Sequence, residues 1–374
     1  MPSKFKKMKT PGAVGDVDYY LLADIIIILL FGLVMVFSAS SASAADTMGD
    51  SYYYLKNQGI MAAGGLLVMW FLSRFDYHKL GKFANIMFVG TIVILLAVLV
   101  VGTESKGAKR WLGIGPISFQ PSELAKITMI VFISFKLSLD RGKIKKSLKE
   151  AGIYVINIGI ICLLVLLENH LSGTTVIAAV CILLMFIAGL PMKWFIGGGI
   201  GAGLLAFIAT VFTPYRMKRL TTFLDPFQDK MGDGWQIVQS LYAIGSGGLF
   251  GLGLGRSRQK YLYIPEPQND FIFSIVCEEL GFIGALSVII LFVIFIYRGI
   301  NIALRAPDSF GRYLAFGVTM LVALQVIVNI AVVTSSMPVT GMQLPLFSAG
   351  GSSMVFLLAG IGILLNVSRQ CKKL

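Results

Sequence analysis

Ten apolar runs, each near twenty residues, constrain this chain more than any other feature. They fall at about 19–38, 56–73, 83–102, 121–138, 151–168, 172–190, 193–213, 270–297, 311–333 and 349–367. A helix rises about 1.5 Å per residue and a bilayer core is about 30 Å thick, so each run is long enough to cross. Inside hydrocarbon the backbone N–H and C=O groups must be paired within the segment, which makes helices the spanning form for such runs. The expected fold class is all-α: a polytopic integral membrane protein with ten transmembrane helices. Composition agrees, because hydrophobic residues make up 56% of the chain and charged ones only 14%. A soluble domain carries about 25% charged residues. That deficit excludes a cytosolic enzyme, a disordered protein and a secreted disulfide scaffold. The first run lacks an Ala-x-Ala cleavage context directly after it and reads as a retained helix rather than a signal peptide. Cys162, Cys181, Cys277 and Cys371 show no metal or CxxC spacing, so neither a disulfide nor a structural zinc is predicted.

Orientation follows from where the basic residues fall. Lys4 to Lys9, Arg74 to Lys82, Arg141 to Lys149, Lys193, Arg298 to Arg312 and Arg369 to Lys373 all lie on alternate sides of successive runs. Lys/Arg-rich connections stay in the cytoplasm. Both termini are therefore expected there, with tails at 1–18 and 368–374 around a single membrane domain over 1–374. The net charge of +13 reads as this loop bias and not as a nucleic-acid surface. Two segments on the other side break the rule. The stretch 103–120 holds Lys106, Lys109 and Arg110 beside Trp111, and the large extracellular loop 214–269, between the seventh and eighth helices, holds Arg216, Arg219 and Lys260 among others. Basic residues there oppose the topology signal, so an anionic ligand at the outer surface and lipid-headgroup contact are both open readings. The hydrophobic stretch 237–244 in the long loop predicts a short re-entrant or interfacial helix.

Several intramembrane or membrane-edge residues carry chemistry. Pro265 and Pro267 hold the approach to the eighth run extended, and Asn269 or Asp270 can cap the helix that follows. Asp270 is either only that cap or a positioned, ionised carboxylate at the bundle mouth, as a general base for a sugar hydroxyl needs. Glu278 and Glu279 lie about 12 Å deeper. They are either functional charges or a hydrogen-bonded pair that fixes packing. Glu123 and Lys126 are three apart on the fourth helix and can pair, as a polar cavity wall or as a neutralised structural pair. His78 and His170 stand alone and receive no role.

At these residues the chain resembles the SEDS family (shape, elongation, division and sporulation), the FtsW/RodA/SpoVE group. The resemblance rests on Lys106-Gly-Ala-Lys-Arg-Trp111, Gln120-Pro-Ser-Glu123, Asp225-Pro226, Gly234-Trp-Gln236, Asp270-Phe-Ile-Phe273, Glu278-Glu-Leu-Gly281 and the ending Pro338-Val-Thr-Gly341 to Gly350-Gly-Ser-Ser353. The wording of the first motif is similar to the division and sporulation branch. The sequence departs at Asn169, where the family has proline, at Asn269, where it has threonine, and at Ala349, where it has tyrosine.

The resemblance implies a peptidoglycan glycosyltransferase that polymerises lipid II on the outer face of the cytoplasmic membrane. It implies a class B penicillin-binding protein as transpeptidase partner, along with other division or sporulation proteins. The family's essential aspartate falls on Asp270, as the base. Lys106, Lys109, Arg110, Arg216, Arg219 and Lys260 are then candidates to hold the pyrophosphate, Glu123 and Lys126 to shape the cavity, and Ser352 to bind substrate. No dedicated metal motif is visible, and a divalent cation, Mg2+ or Mn2+, is a possible helper. A lipid II flippase and a non-catalytic division scaffold are the rival readings.

Overall fold

A computed structural model describes residues 15–105, 108–114, 117–140, 142–145, 148–199, 217, 221–228, 232, 234–261 and 263–371. Its helices are α1 Tyr19–Met48, α2 Tyr53–Arg74, α3 Tyr77–Val101, α4 Pro121–Asp140, α5 Leu148–Leu167 and α6 Leu171–Ile187. They continue as α7 Trp235–Gly247, α8 Ile272–Arg305, α9 Ser309–Val333 and α10 Ser352–Gln370. Among the described residues, six of them (α1, α3, α5, α8, α9 and α10) are long and apolar enough to cross a membrane, so this is a multi-pass membrane protein. The expected span at 193–213 is helical over 192–199, and its remainder lies outside the described residues.

Two expectations change. Helix α1 runs ten residues past its expected end at 38. The Ser/Ala-rich stretch after that point propagates a helix well, and Ser38, Ala39, Ser40 and Ala44 are buried against neighbours. Packing therefore sets the end of α1, at Gly49 in the left-handed region. The fold is also not purely helical. Segment 103–120, expected as a loop, forms an antiparallel sheet of β1 Thr103–Ser105, β2 Ala108–Ile114 and β3 Ile117–Phe119, in that order. Glu104 faces Lys109 and Leu112 faces Phe119 in its register. A chain turning back on itself must pair its backbone groups, and the two antiparallel pairings do so locally. Strands of three residues carry too little alternation to be read in advance.

Described residues of four of the segments with the basic loop bias meet at one end. Asp18 accepts from Arg298 at 2.6 Å, and Arg369 donates to the carbonyls of Gly15 and Ser73, each at 3.2 Å. His78 bridges Asp76 at 2.7 Å and Asp308 at 3.1 Å. Burial opposes ionisation of Asp308, but bonds from His78, Tyr77 and the Gly311 N–H hold its carboxyl below the usual carboxylate range. Helices α2 and α10 pack face to face, and a Cβ on Gly362 would lie 2.6 Å from the Met69 carbonyl oxygen.

Helix α8 is two helices end to end. Gly281 (φ 66°, ψ −163°) breaks it, in a conformation that favours glycine. In an unbroken helix the carbonyls of Glu278 and Glu279 would pair with the N–H groups of Phe282 and Ile283. Instead those carbonyls accept from Leu252 and Gly253, at 3.0 and 2.9 Å, and Phe282 and Ile283 donate to Gly248 and Leu249, at 2.9 and 3.2 Å. The expected short helix of the outer loop is α7, and the glycine-rich return after it plugs this kink. The two carboxylates finish the work. Glu279 accepts from Ser38 Oγ, from the N–H groups of Gly255 and Ser257, and from Lys260 Nζ. Glu278 accepts from Ser257 Oγ and the Arg258 N–H. Irregular backbone is tolerated at membrane depth only where protein satisfies it, and that is what these glutamates do.

Candidate active site

At the end of the bundle opposite the basic corners lies a cavity of about 360 Å³. Four elements converge on it. Strand β2 brings Arg110 and Trp111. The first turn of α4, opened by Pro121, brings Glu123 and Lys126. The start of α6 brings His170, Ser172 and Gly173. The segment 341–357, before and into α10, brings Gly341, Gln343, Ser348 and Ser353. Glu266 and Asn269 close the side next to α8.

The Glu123 and Lys126 side chains meet at 2.7 Å, 11% and 7% exposed, so the i,i+3 pair lines the cavity with Glu123 holding the Lys126 ammonium in place. Asp270 lies at the cavity's edge, beside Gly341. A Cβ on Gly341, which lines the cavity, would lie 3.4 Å from Asp270 Oδ2. Asn329, fully buried, holds the neighbourhood: its amide donates to the Asp270 carbonyl at 2.8 Å and to the Met342 carbonyl at 2.7 Å. Helix α8 begins at Ile272 with Phe271 at the N-cap position, so neither Asn269 nor Asp270 occupies it. Asn269 donates to Glu266 Oε2 instead.

The structure brings Arg110, Glu123 and Lys126 together around one cavity with Asp270 at its edge, and leaves other expected residues elsewhere. Lys260 is buried in an ion pair with Glu279 at 3.1 Å, and it also donates to the Gly255 carbonyl at 2.7 Å. Its charge is spent inside the outer loop. The Ser352 hydroxyl accepts from the Gln120 N–H at 3.2 Å, which ties α10 to α4, while Ser353 faces the cavity. Adjacent helical residues point about 100° apart, so only one of the two serines can do so. Lys106, Arg216 and Arg219 lie outside the described residues, as does the side chain of Lys109.

Residues given no role in advance complete the wall. Gln343 accepts from Ser353 Oγ at 2.7 Å, and Gln58 on α2 pins the 348–350 turn through the Ser348 carbonyl and the Gly350 N–H. His170 takes the Ser122 hydroxyl at 3.0 Å and the Gln120 amide at 3.1 Å on Nδ1. Burial, then Lys126 and Arg110, pull its pKa down to about 3, so the ring is neutral. Two residues earlier, burial pushes Glu168 up to about 8, against a smaller opposing pull from Arg110. The one advance signal for these residues was the presence of amides and an imidazole within or beside apolar runs.

A family model described as "Cell cycle protein", FtsW/RodA/SpoVE, matches residues 19–373. Stage V sporulation protein E of Bacillus subtilis (strain 168) is 42% identical over 95% of this chain and 98% of that relative. A probable peptidoglycan glycosyltransferase FtsW of Geobacter sp. (strain M18) is 40% identical over 96% and 98%. Among solved structures, one described as "Structural coordination of polymerization and crosslinking by a peptidoglycan synthase complex" aligns with a TM-score of 0.80 at 31% identity, covering 94% of this chain and 98% of that one. The rod shape determining protein RodA of Thermus thermophilus aligns with a TM-score of 0.72 at 27% identity, covering 96% and 98%.

Proposed function

The chain belongs to the FtsW/RodA/SpoVE family of cell cycle proteins, and we propose that it is the peptidoglycan glycosyltransferase of a cell-wall synthase, acting on lipid II at the outer face of the cytoplasmic membrane. The observation that carries this reading is one cavity lined by the cations Arg110 and Lys126, with the Asp270 carboxylate at its edge beside the lining residue Gly341. Glycosyl transfer from a lipid diphosphate needs both, one to take a proton and one to receive negative charge.

Asp270 takes the proton from the 4-hydroxyl of the acceptor's N-acetylglucosamine. That oxygen attacks C1 of the donor's N-acetylmuramic acid, the C1–O bond to phosphate breaks, and polyprenyl diphosphate leaves with inversion. Arg110 and Lys126 stabilise the charge that develops on the departing diphosphate. Glu123 keeps Lys126 in place. Gly341 keeps a side chain from packing on the Asp270 carboxylate at the cavity's edge. Among the described residues no group of three His, Cys, Asp or Glu side chains is placed to hold a metal ion; a divalent cation, Mg2+ or Mn2+, carried in on the diphosphate would share the task of receiving its charge. Ten spans with both termini in the cytoplasm place the cavity outside. The tethered basic corners at the other end support that orientation. A class B penicillin-binding protein is the fitting partner, since new glycan needs crosslinking.

Reconstitution with lipid II confined to one leaflet tests the reading. Polymer from the wild-type protein with its partner, lost about 10²–10⁴-fold in Asp270→Asn without a lower melting temperature, is the expected result. Lipid movement without polymer would make the protein a flippase, and neither activity would leave a scaffold.

A further inference from the structure

The mechanism above leaves His170 unused, although it lines the cavity. We propose that His170 is a substrate-binding residue that donates its Nε2–H to an anionic oxygen of the lipid-linked diphosphate. This rests on the glycosyltransferase reading.

The local sequence builds the donor. Helix α5 ends in a paired turn in which the Asn169 N–H bonds to the Leu166 carbonyl at 2.9 Å and the His170 N–H to the Val165 carbonyl at 3.2 Å. Asn169 has φ 57°, in the left-handed region that asparagine tolerates and proline cannot reach. The turn delivers His170 directly to the N-cap position of α6, where its carbonyl accepts from the Thr174 N–H and hydroxyl, both at 3.1 Å.

The ring is then fixed from one side. An amide nitrogen only donates, so the Gln120 contact makes Nδ1 an acceptor and leaves the ring proton on Nε2. The Ser122 hydroxyl, fully buried, lies 3.0 Å from the same Nδ1. Gly173 makes room for the ring, since a Cβ there would lie 2.7 Å from Nδ1. Among the described residues no hydrogen bond engages Nε2. An N–H donor that shares its cavity with Lys126 and Arg110 suits an anionic oxygen, because a cation or a second donor would be repelled there. The low basicity of the ring keeps it a one-proton donor across the physiological range.

The test uses the full chain in detergent and undecaprenyl diphosphate as the probe, with affinity and melting temperature measured on the same samples. His170→Phe should weaken binding about tenfold or more, as expected for a hydrogen bond to a charged group. His170→Gln, which can return an N–H donor, should recover part of that loss. Gly173→Ala keeps the imidazole but displaces it, and should weaken binding as well. Wild-type affinity in both His170→Phe and Gly173→Ala would overturn the inference. So would a loss that follows the melting temperature and is not relieved by glutamine. A wild-type protein that fails to bind the probe would sink the inference together with the glycosyltransferase reading. Wild-type binding that neither variant changes would sink the inference alone.

Discussion

Lys260 and Glu279, nineteen residues apart in the chain, form a 3.1 Å ion pair whose side chains are 3% and 0% exposed. The pair fastens the return of the outer loop to the first part of α8, just before the Gly281 break. Lys260→Met should strand the Glu279 charge and destabilise the protein by about 3–5 kcal/mol. The double variant Lys260→Met with Glu279→Leu should recover part of that, read as melting temperature in detergent. Equal stability of the single and double variants would show that the pair is not coupled.

Gly281 permits the kink that this loop fills. A Cβ there would run into the Gly251 amide and the Leu249 carbonyl, at a φ that itself costs about 1–3 kcal/mol for other residues. Gly281→Ala should lower the melting temperature more than Gly299→Ala, lower in the same helix, where the backbone is helical and the clash is with the Thr319 side chain rather than with backbone. The reverse order would mean that the loop packing tolerates adjustment at the kink.

Glu123 and Lys126 form the cavity pair. Removing either one leaves an uncompensated charge in a poorly solvated place, which is worse than removing both. Glu123→Ala and Lys126→Ala should each lose polymerisation strongly, and the double variant should regain stability without regaining activity. Normal turnover in both single variants would remove the pair from the cavity's work.

Glu168 supplies a pH dependence. Its carboxyl is held protonated in the fold up to about 8, while in the unfolded chain it ionises near 4.3. Between those values the folded state binds the extra proton, so stability falls as pH rises through this window. Glu168→Gln should flatten the decline in melting temperature between about pH 5 and pH 8 and should exceed the wild type at the alkaline end. Parallel pH profiles for the two proteins would refute the assignment.

Read residue by residue, the sequence determined the apolar spans, the side on which the basic corners gather, and the motifs that carry family and chemistry. These are local properties: hydropathy over about twenty residues and charge bias in short connections need no knowledge of packing. Which polar side chain serves which purpose was decided only by tertiary structure. Lys260 looked like an outer-surface cation and is a buried partner of Glu279. Ser352 and Ser353 are indistinguishable in the chain, and helix rotation turns one toward Gln120 and the other into the cavity. His170 had no visible partner until α4 placed Gln120 and Ser122 against its ring, about fifty residues away. The physical reason is the same in each case. A polar group at membrane depth is stable only when another group satisfies it, and the fold, not the neighbouring sequence, chooses that group.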